Sequence, residues 1–317
     1  MLLRRVFIVL LFGASLAPAQ RTGTFDFLRL DMNARAAALS GSVVSMTNDP
    51  NLLLYNPSTL ATLEQASASA GFLKHLLDVN AGSVSYAQAI SDLGTFGAGI
   101  VYVDYGSFNR ADESMNTFGT FSARELAFVV GWGTSLDEDV FAGASIEFIH
   151  SSIAEYSSSA LAAGAGILYR IPSENITVGA SLLHAGTQLT TYDGTRESLP
   201  LSLTIGITKR PEHLPVYLNL NFHKLTEQGG SILDRFGSFT FGAEFMVSEA
   251  VRLRVGYDHE KRRELKIGDS AGMAGFALGG GILLGTYRLD YAFNSYGKIG
   301  GLHRLTIGMI ISSSSDL

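Results

Sequence analysis

The sequence predicts an all-β protein, a transmembrane antiparallel up-and-down β-barrel of about 14 strands with a short N-terminal helical plug. Apolar and polar residues alternate from residue 65 onward, which is the period of a β-strand. Charged residues make up only 16% of the 317 residues, and no apolar run after residue 20 is long enough for a spanning helix. Short and long connections between the strands alternate along the chain, as in a membrane barrel.

The first 19 residues have the features of a secretory signal peptide. Arg4 and Arg5 precede a short apolar run and an A-x-A cleavage site, so we expect the mature chain to begin at Gln20. The chain has no Cys, which excludes a lipoprotein anchor and a disulfide framework. Loss of Arg4 and Arg5 from the 23 basic residues leaves 21 against 29 acidic residues, a net charge of −8 that argues against a nucleic-acid partner.

Residues 20–64 differ in character from the rest, and we expect them to form a plug, or hatch, inside the barrel. A short helix is favoured near Asn33, which would be its N-cap, with Gly41 as its stop. Turn signals follow at 48–50 and 56–57. The predicted organisation is therefore a signal peptide at 1–19, a hatch at 20–64, a barrel at 65–311 and a C-terminal tail at 312–317.

The barrel region carries the alternation throughout. The eleventh segment is the clearest, because Val251, Leu253, Val255 and Tyr257 alternate with polar or very small residues. An even number of strands is expected when both chain ends lie on the inner side of the membrane. The predicted strands lie near 66–73, 79–89, 95–105, 119–135, 140–150, 160–170, 175–185, 199–209, 215–225, 237–247, 251–260, 272–283, 286–294 and 302–311.

The connections and the aromatic residues orient this barrel. If the first connection lies outside, all the inner turns are short, and the outer connections are mostly longer: 106–118, 151–159, 186–198, 226–236 and 261–271. A soluble barrel would turn its apolar face inward, whereas a membrane barrel turns it outward and carries aromatic girdles. The aromatic residues that we assign to these girdles are Tyr102, Tyr105, Trp132, Tyr169, Tyr287 and Phe293.

Motifs for catalysis or cofactor binding do not stand out. The seven His residues lack metal-binding spacing, and the sequence contains neither a G-x-S-x-G elbow nor a P-loop. Glycine pairs such as Gly97 with Gly99 and Gly164 with Gly166 fall inside strands, where small residues let a plug approach the wall. We therefore expect no enzyme, no metal and no cofactor.

Charged residues occupy inward positions on the late strands, with both signs represented. One interpretation is a constriction that selects solutes, and the other is a salt-bridged network that pins the plug. We favour the network, because mixed charge neutralises itself instead of selecting an ion. The residues concerned are Glu244, Arg252, Arg254, Asp258, Arg288, Asp290 and Arg304.

The long outer connections also carry charged and aromatic residues. These side chains could form a solvated rim, or they could dock a partner protein or lipopolysaccharide, and the sequence leaves both readings open. Aromatic and Arg residues dominate binding hot spots. The candidates for a partner-binding surface are Phe108, Arg110, Asp112, Tyr192, Arg196 and Arg235.

A series of different short motifs runs along the chain. The N-terminal ones are at 25–28, 34–39, 48–51 and 55–57, and the later ones are at 105–108, 110–113, 119–123, 186–189, 199–201, 209–215, 241–245, 254–257, 262–266 and 272–276. The N-terminal set resembles the PorV and PorQ group within the FadL-like outer-membrane barrels. The later set is similar to the PorQ family in particular, and together the motifs cover nearly the whole mature chain.

This resemblance implies an integral, multi-pass outer-membrane protein of the type IX secretion system of Bacteroidota-like bacteria. Its members are expected to hold a surface partner, a PorZ-like protein, near lipopolysaccharide, with no chemistry of their own. A FadL-like channel for hydrophobic solutes remains the alternative, and an outer-membrane enzyme is a third reading. Two departures stand out: the connection 226–236 is shorter than the insertion that the resemblance leads us to expect there, and the chain ends without the terminal aromatic residue common in such barrels.

Overall fold

The computed structural model describes residues 24–75, 79–226, 236–266 and 271–311. The predicted signal peptide, the tail at 312–317 and Arg235 lie outside these ranges. Within them the chain forms a closed barrel of fourteen antiparallel strands in which each strand pairs with its sequence neighbours. The last strand closes on the first, with Ala66 opposite Ile311. The predicted fold is therefore confirmed.

The strands follow the predicted alternation closely, and their bounds differ from the predicted ones mainly at the outer ends. They are β1 (Ala66–Lys74), β2 (Asn80–Ile90), β3 (Gly94–Ala111), β4 (Thr117–Asp137), β5 (Val140–Ile153), β6 (Tyr156–Ile171), β7 (Ile176–Thr190), β8 (Ser202–Lys209), β9 (Val216–Phe222), β10 (Phe239–Met246), β11 (Val251–Asp258), β12 (Phe276–Leu284), β13 (Tyr287–Ser295) and β14 (Gly301–Ile311).

The two faces of the wall have opposite character. On β11, Leu253 and Val255 point outward and are 52% and 39% exposed, whereas Arg254 points inward and is 2% exposed. Large apolar side chains are exposed in this way on the outside of every strand from β1 to β14, apart from β9. An exterior this apolar belongs to a protein embedded in lipid. Among the described residues, no helix is long and apolar enough to cross a membrane.

The wall is uneven in height. Strands β3 to β7 have 14 to 21 residues, whereas β8 to β11 have only 7 or 8. At roughly 3.3 Å per residue and a tilt of about 40°, β3 rises roughly 45 Å and β8 to β11 roughly 20 Å, against an apolar band of about 25 Å. We call β3 to β7 the tall wall and β8 to β11 the low wall.

The tall wall corrects two predicted loops. Residues 106–118 and 151–159 were expected to be irregular, yet β3 and β4 leave only 112–116 between them, and β5 and β6 leave only two residues. A β-bulge between Asp104 and Ser107 allows the ladder to continue outward. Above it, Phe108 stacks on Phe121 with ring centroids 5.3 Å apart. The outer end of the barrel thus carries projecting hairpins.

The hatch lies in the lumen and consists of short helices. Helix α1 (Ala34–Ala38) is capped at its N-terminus by Asn33, whose side chain accepts a hydrogen bond from the Ala36 amide. Three 3-10 helices, Asp26–Arg29, Pro50–Leu54 and Pro57–Thr62, complete it. Wall glycines meet hatch backbone: a Cβ on Gly143 would lie 2.4 Å from the Pro57 carbonyl. Small wall residues therefore allow the hatch to seat closely.

One predicted girdle residue faces the other way. Tyr102, Trp132, Tyr169 and Tyr287 are 39% to 56% exposed on the exterior. Tyr105 instead donates a hydrogen bond from its hydroxyl to Glu125 and packs against the hydrophobic core in the outer part of the lumen. The reason is parity, since Tyr105 is three residues from Tyr102 and adjacent positions of a strand face opposite sides.

Candidate functional site

A cavity of about 290 Å³ lies in the lumen between the hatch and the wall. On the hatch side its lining includes the apolar residues Leu28, Leu30 and Leu54 and the charged residues Arg29 and Asp31. On the wall side it is lined by mid-strand residues of the tall wall, such as Val101 and Val129, and by the outer ends of the low wall. The cavity therefore lies just inside the outer end of the barrel, where the wall is lowest.

A β-bulge turns a histidine toward this cavity. The register of β6 and β7 shifts between Ala163 and Ala165, and His184 opposite has a φ of 59°, in the left-handed region. Its Nδ1 lies 2.7 Å from a carboxylate oxygen of Glu147, and both residues line the cavity. A left-handed non-glycine residue stores strain, and such residues cluster at functional sites. This pair is the first polar feature of the site.

A second polar cluster lies at the outer end of the low wall. Lys224, with a φ of 56°, places its Nζ 2.9 Å from Glu260, and His223 Nε2 lies 3.2 Å from the same carboxylate. Burial raises the pKa of Glu260, but hydrogen bonds from His223 and Lys224 outweigh this effect and lower the pKa to about 2. The cavity thus combines an apolar body with paired charges at its rim.

A buried charge network fastens the hatch to the wall. Arg35 of α1 donates to both carboxylate oxygens of Glu244 on β10, at 2.9 and 2.8 Å. Arg254 on β11 donates to the same carboxylate at 2.6 Å and to Asp290 on β13 at 2.6 Å. Glu244, Arg254 and Asp290 are all 4% exposed or less at their side chains. Each of these four side chains, Arg35, Glu244, Arg254 and Asp290, therefore has a partner of opposite charge within the network.

The network extends to a second hatch residue, Asp49. Its carboxylate lies 2.7 Å from Arg288 and 3.3 Å from Arg35. Burial alone would raise the pKa of Asp49, but the guanidinium groups of Arg288 and Arg35, with hydrogen bonds from Asn51, lower it to about 2. Two separate hatch segments are therefore held by one network.

The remaining predicted lumen charges lie elsewhere. Arg304 donates to the Asp31 carbonyl of the hatch at 2.5 Å and to Asn294 at 2.6 Å. Asp258 lies at the outer end, where it caps a helix and pairs with Lys261 at 3.1 Å. Arg252 lies at the inner end and donates to the carbonyls of Ser248 and Val251, apart from the network.

Sequence reasoning missed the hatch partners. Arg35 and Asp49 are isolated charges in a segment otherwise rich in small and apolar residues. A buried charge needs a partner of opposite sign. The prediction of a hatch inside a lumen with charged walls was therefore enough to identify Arg35 and Asp49 as partners of the wall charges. Glu147 and His184 gave no such signal, since their contact depends on a bulge that the alternation does not reveal.

Three of the predicted partner-binding residues, Phe108, Arg110 and Asp112, lie on the hairpin of β3 and β4. Phe108 is 43% exposed, and Arg110 binds Glu155 at 2.5 Å and lies over the Phe121 ring. Asp112 accepts hydrogen bonds from Ser114 and Asn116 and so caps the hairpin turn. Tyr192 is half-buried and Arg196 is exposed on the connection after β7. The hairpins and this connection stand at the same end of the barrel.

A smaller cavity of about 190 Å³ lies toward the inner end. It is lined by hatch residues such as Asn48 and Pro50, and by wall residues of β1, β13 and β14 that include Arg288 and Gly308. The hatch therefore forms one side of both cavities, and the charge network lies beside the inner one. Among the described residues, no group of three His, Asp or Glu side chains is arranged to hold a metal ion.

Solved structures share this architecture. The toluene transporter TbuX of Ralstonia pickettii has a TM-score of 0.60 at 10% identity, covering 88% of this chain and 98% of its own. A FadL homologue of Pseudomonas aeruginosa scores 0.56 at 11% identity, with 89% and 98% covered. The toluene transporter TodX of Pseudomonas putida scores 0.55 at 14% identity, with 88% and 96% covered.

At these identities the likeness concerns the fold. No family model matches the chain, and no curated protein matches its sequence. The closed barrel of fourteen strands with short N-terminal helices in its lumen is therefore the fold of the FadL-like outer-membrane barrels.

Proposed function

We propose that the protein is a non-enzymatic channel of the outer membrane that admits a small hydrophobic solute. The lumen cavity carries this proposal. At about 290 Å³ it is larger than the roughly 150 Å³ apolar cavity that holds benzene. The barrels of similar fold include two transporters of toluene, and the apolar body of the cavity suits a solute of that kind.

The hatch sets the path that the solute would take. It separates the outer cavity from the inner one, so passage requires the hatch to shift within the lumen. The hatch is fixed through Arg35 and Asp49 and seated against wall glycines. Transport in this proposal is therefore gated by a small displacement of the hatch and proceeds without an open pore.

Binding of toluene to the purified barrel tests the proposal. Ala127 is buried and lines the cavity, so Ala127→Trp should fill it and abolish saturable toluene binding measured by NMR or calorimetry. The matched control is Phe128→Trp on the lipid-facing side of the same strand, which should bind like the wild type. Equal binding by both variants would place the solute outside this cavity.

The tall wall supports a second candidate function, the anchoring of a PorZ-like surface protein in type IX secretion. Four aromatic or aliphatic residues share one face of the tall wall above the membrane: Phe108, Phe121, Ile153 and Tyr156. Phe108 pairs with Phe121, and Ile153 pairs with both Ala123 and Tyr156. That face continues the lumen side of β4, where Ala123 is buried. Phe108, Ile153 and Tyr156 are exposed, as a docking surface requires.

A pull-down from detergent-solubilised outer membrane separates the two functions. Replacing Phe108 and Tyr156 by Ala, deleting 112–116, or replacing Tyr192 and Arg196 by Ala should release an anchored partner while the barrel stays folded. Glu212 on an inner turn is the control, because its replacement should release nothing. A partner that stays bound to all of the outer variants would remove the anchoring function and leave the channel.

A further inference from the structure

The low wall ends in a short helix whose two faces carry different residues. This helix, α2 (His259–Glu264), follows β11 directly and is capped at its N-terminus by Asp258. Glu260, Lys261 and Glu264 line the lumen cavity. His259, Arg262 and Arg263 fall at the complementary helical positions, spaced by three and four residues, and so face away from it. The outward face of α2 is therefore basic.

The outward face of α2 is seated on an aromatic patch of the barrel exterior. The imidazole of His259 stacks on Phe239 at 4.8 Å, and the guanidinium of Arg262 lies over the Phe276 ring at 5.4 Å. Tyr257, between these rings, shares a hydrogen bond of 3.1 Å with His259. Aromatic residues at this height mark the boundary between the apolar band and the lipid headgroups.

The height of the low wall places α2 near the outer boundary of the apolar band, beside the lipid headgroups. Strands β10 and β11 have 8 residues each and rise roughly 20 Å, slightly less than the apolar band of about 25 Å. The basic residues of α2 come immediately above the aromatic patch. By contrast, Arg110 on the tall wall lies eight residues beyond Tyr102 and so roughly 20 Å above the same boundary.

We propose that the outward face of α2 binds the phosphate group of an anionic lipid of the outer leaflet through Arg262 and Arg263, with His259 beside them. Arg262 is already oriented, since its guanidinium also donates to the Gly272 and Ala274 carbonyls, and Arg263 is exposed. Both acidic residues of α2 lie on the cavity side, where Glu260 is paired with Lys224 and His223 and Glu264 lines the cavity. The bound lipid would cover the outer edge of the barrel at the low wall.

Native mass spectrometry of the full mature barrel tests this site with phosphatidic acid as the probe, in mixtures with phosphatidylcholine. Each basic residue near an anionic membrane surface contributes about a fivefold gain in binding, so Arg262→Gln with Arg263→Gln should weaken the first bound phosphatidic acid by roughly 30-fold. Arg263→Gln alone, at an exposed position, should weaken it about fivefold and guards against misfolding of the double variant.

Arg110→Gln is the matched control, because Arg110 also lies over an aromatic ring but far above the headgroups. It should leave phosphatidic acid binding unchanged. Equal weakening by Arg110→Gln, or unchanged binding by both α2 variants, overturns the proposal. Complete competition by inorganic phosphate would also overturn it, since the site would then recognise the free ion instead of a lipid. None of these outcomes bears on toluene binding in the lumen.

Discussion

Arg254 connects two carboxylates in the middle of the lumen, so its loss exposes the energetics of the hatch network. Arg254→Met leaves Glu244 and Asp290 buried, with Glu244 held by Arg35 alone. Breaking a buried pair in this way costs about 3 to 5 kcal/mol of unfolding free energy. Urea titration of the barrel in detergent measures it. Arg252→Met on the same strand is the control and should cost about 1 kcal/mol or less, and equal losses would mean that the network does not stabilise the fold.

Asp49 makes part of this stability depend on pH. Its pKa falls from 3.8 to about 2 in the folded protein, so its contribution is fully present above pH 3.8 and is lost as the pH falls toward 2. The expected loss is roughly 2 kcal/mol. Unfolding titrations between pH 5 and about 2 should show a shallower dependence for Asp49→Asn than for the wild type. Identical pH profiles would contradict this assignment.

The sequence identifies inward charges by parity but not their partners. Alternation alone assigns Glu244, Arg254 and Asp290 to the lumen side, and in the structure all three are buried. Arg35 and Glu244 lie 209 residues apart in sequence, and no local period connects them. His184 is harder still, because one extra residue in β7 changes which way its side chain points.

Among the elements, the strands of the wall should respond differently to a new charge on their lipid side and on their lumen side. Leu253→Arg places a charge on the lipid side of β11 and should cost about 2 to 4 kcal/mol near the bilayer midplane. Thr204→Arg on β8 faces the lumen cavity and should not carry that lipid penalty. Unfolding titrations in lipid vesicles compare the two. Equal losses would mean that the faces of the barrel are assigned the wrong way round.

Glycines of the wall set how closely the hatch packs. A Cβ on Gly143 would lie 2.4 Å from Pro57, whereas one on Gly82 would meet nothing closer than 3.5 Å. Gly143→Ala should therefore destabilise the seated hatch by about 1 to 3 kcal/mol, while Gly82→Ala should not. Hydrogen exchange at the backbone amides of residues 58–62 reports the difference. Unchanged protection in Gly143→Ala would show that the hatch does not depend on this contact.

Strand number and order follow from the sequence, but strand length does not. The alternation predicts fourteen segments, and the structure has fourteen strands in that order. The outer ends of β3 and β4 were missed because a bulge changes the parity of the pattern between Asp104 and Ser107. Polar residues above a membrane also remove the contrast between faces on which the pattern depends. Local chemistry therefore predicts the spanning part better than the projecting part.

In the whole molecule, the uneven wall, the hatch and the cavity are connected. The tall wall projects a partly apolar face, the low wall brings the cavity close to the outer leaflet, and the hatch lies beneath. The motif resemblance is the basis of the anchoring proposal, and the lumen cavity is the basis of the channel proposal. The two functions use different surfaces of the molecule, so they can be tested apart.

Uptake of toluene by proteoliposomes that contain the barrel tests the channel most directly. The wild type should admit toluene faster than protein-free vesicles, and Phe128→Trp should match the wild type. Ala127→Trp should reduce uptake to the protein-free rate, because its side chain occupies the cavity that the solute must enter. Uptake by Ala127→Trp equal to that of the wild type, with both variants folded, would contradict a hydrophobic channel through this lumen.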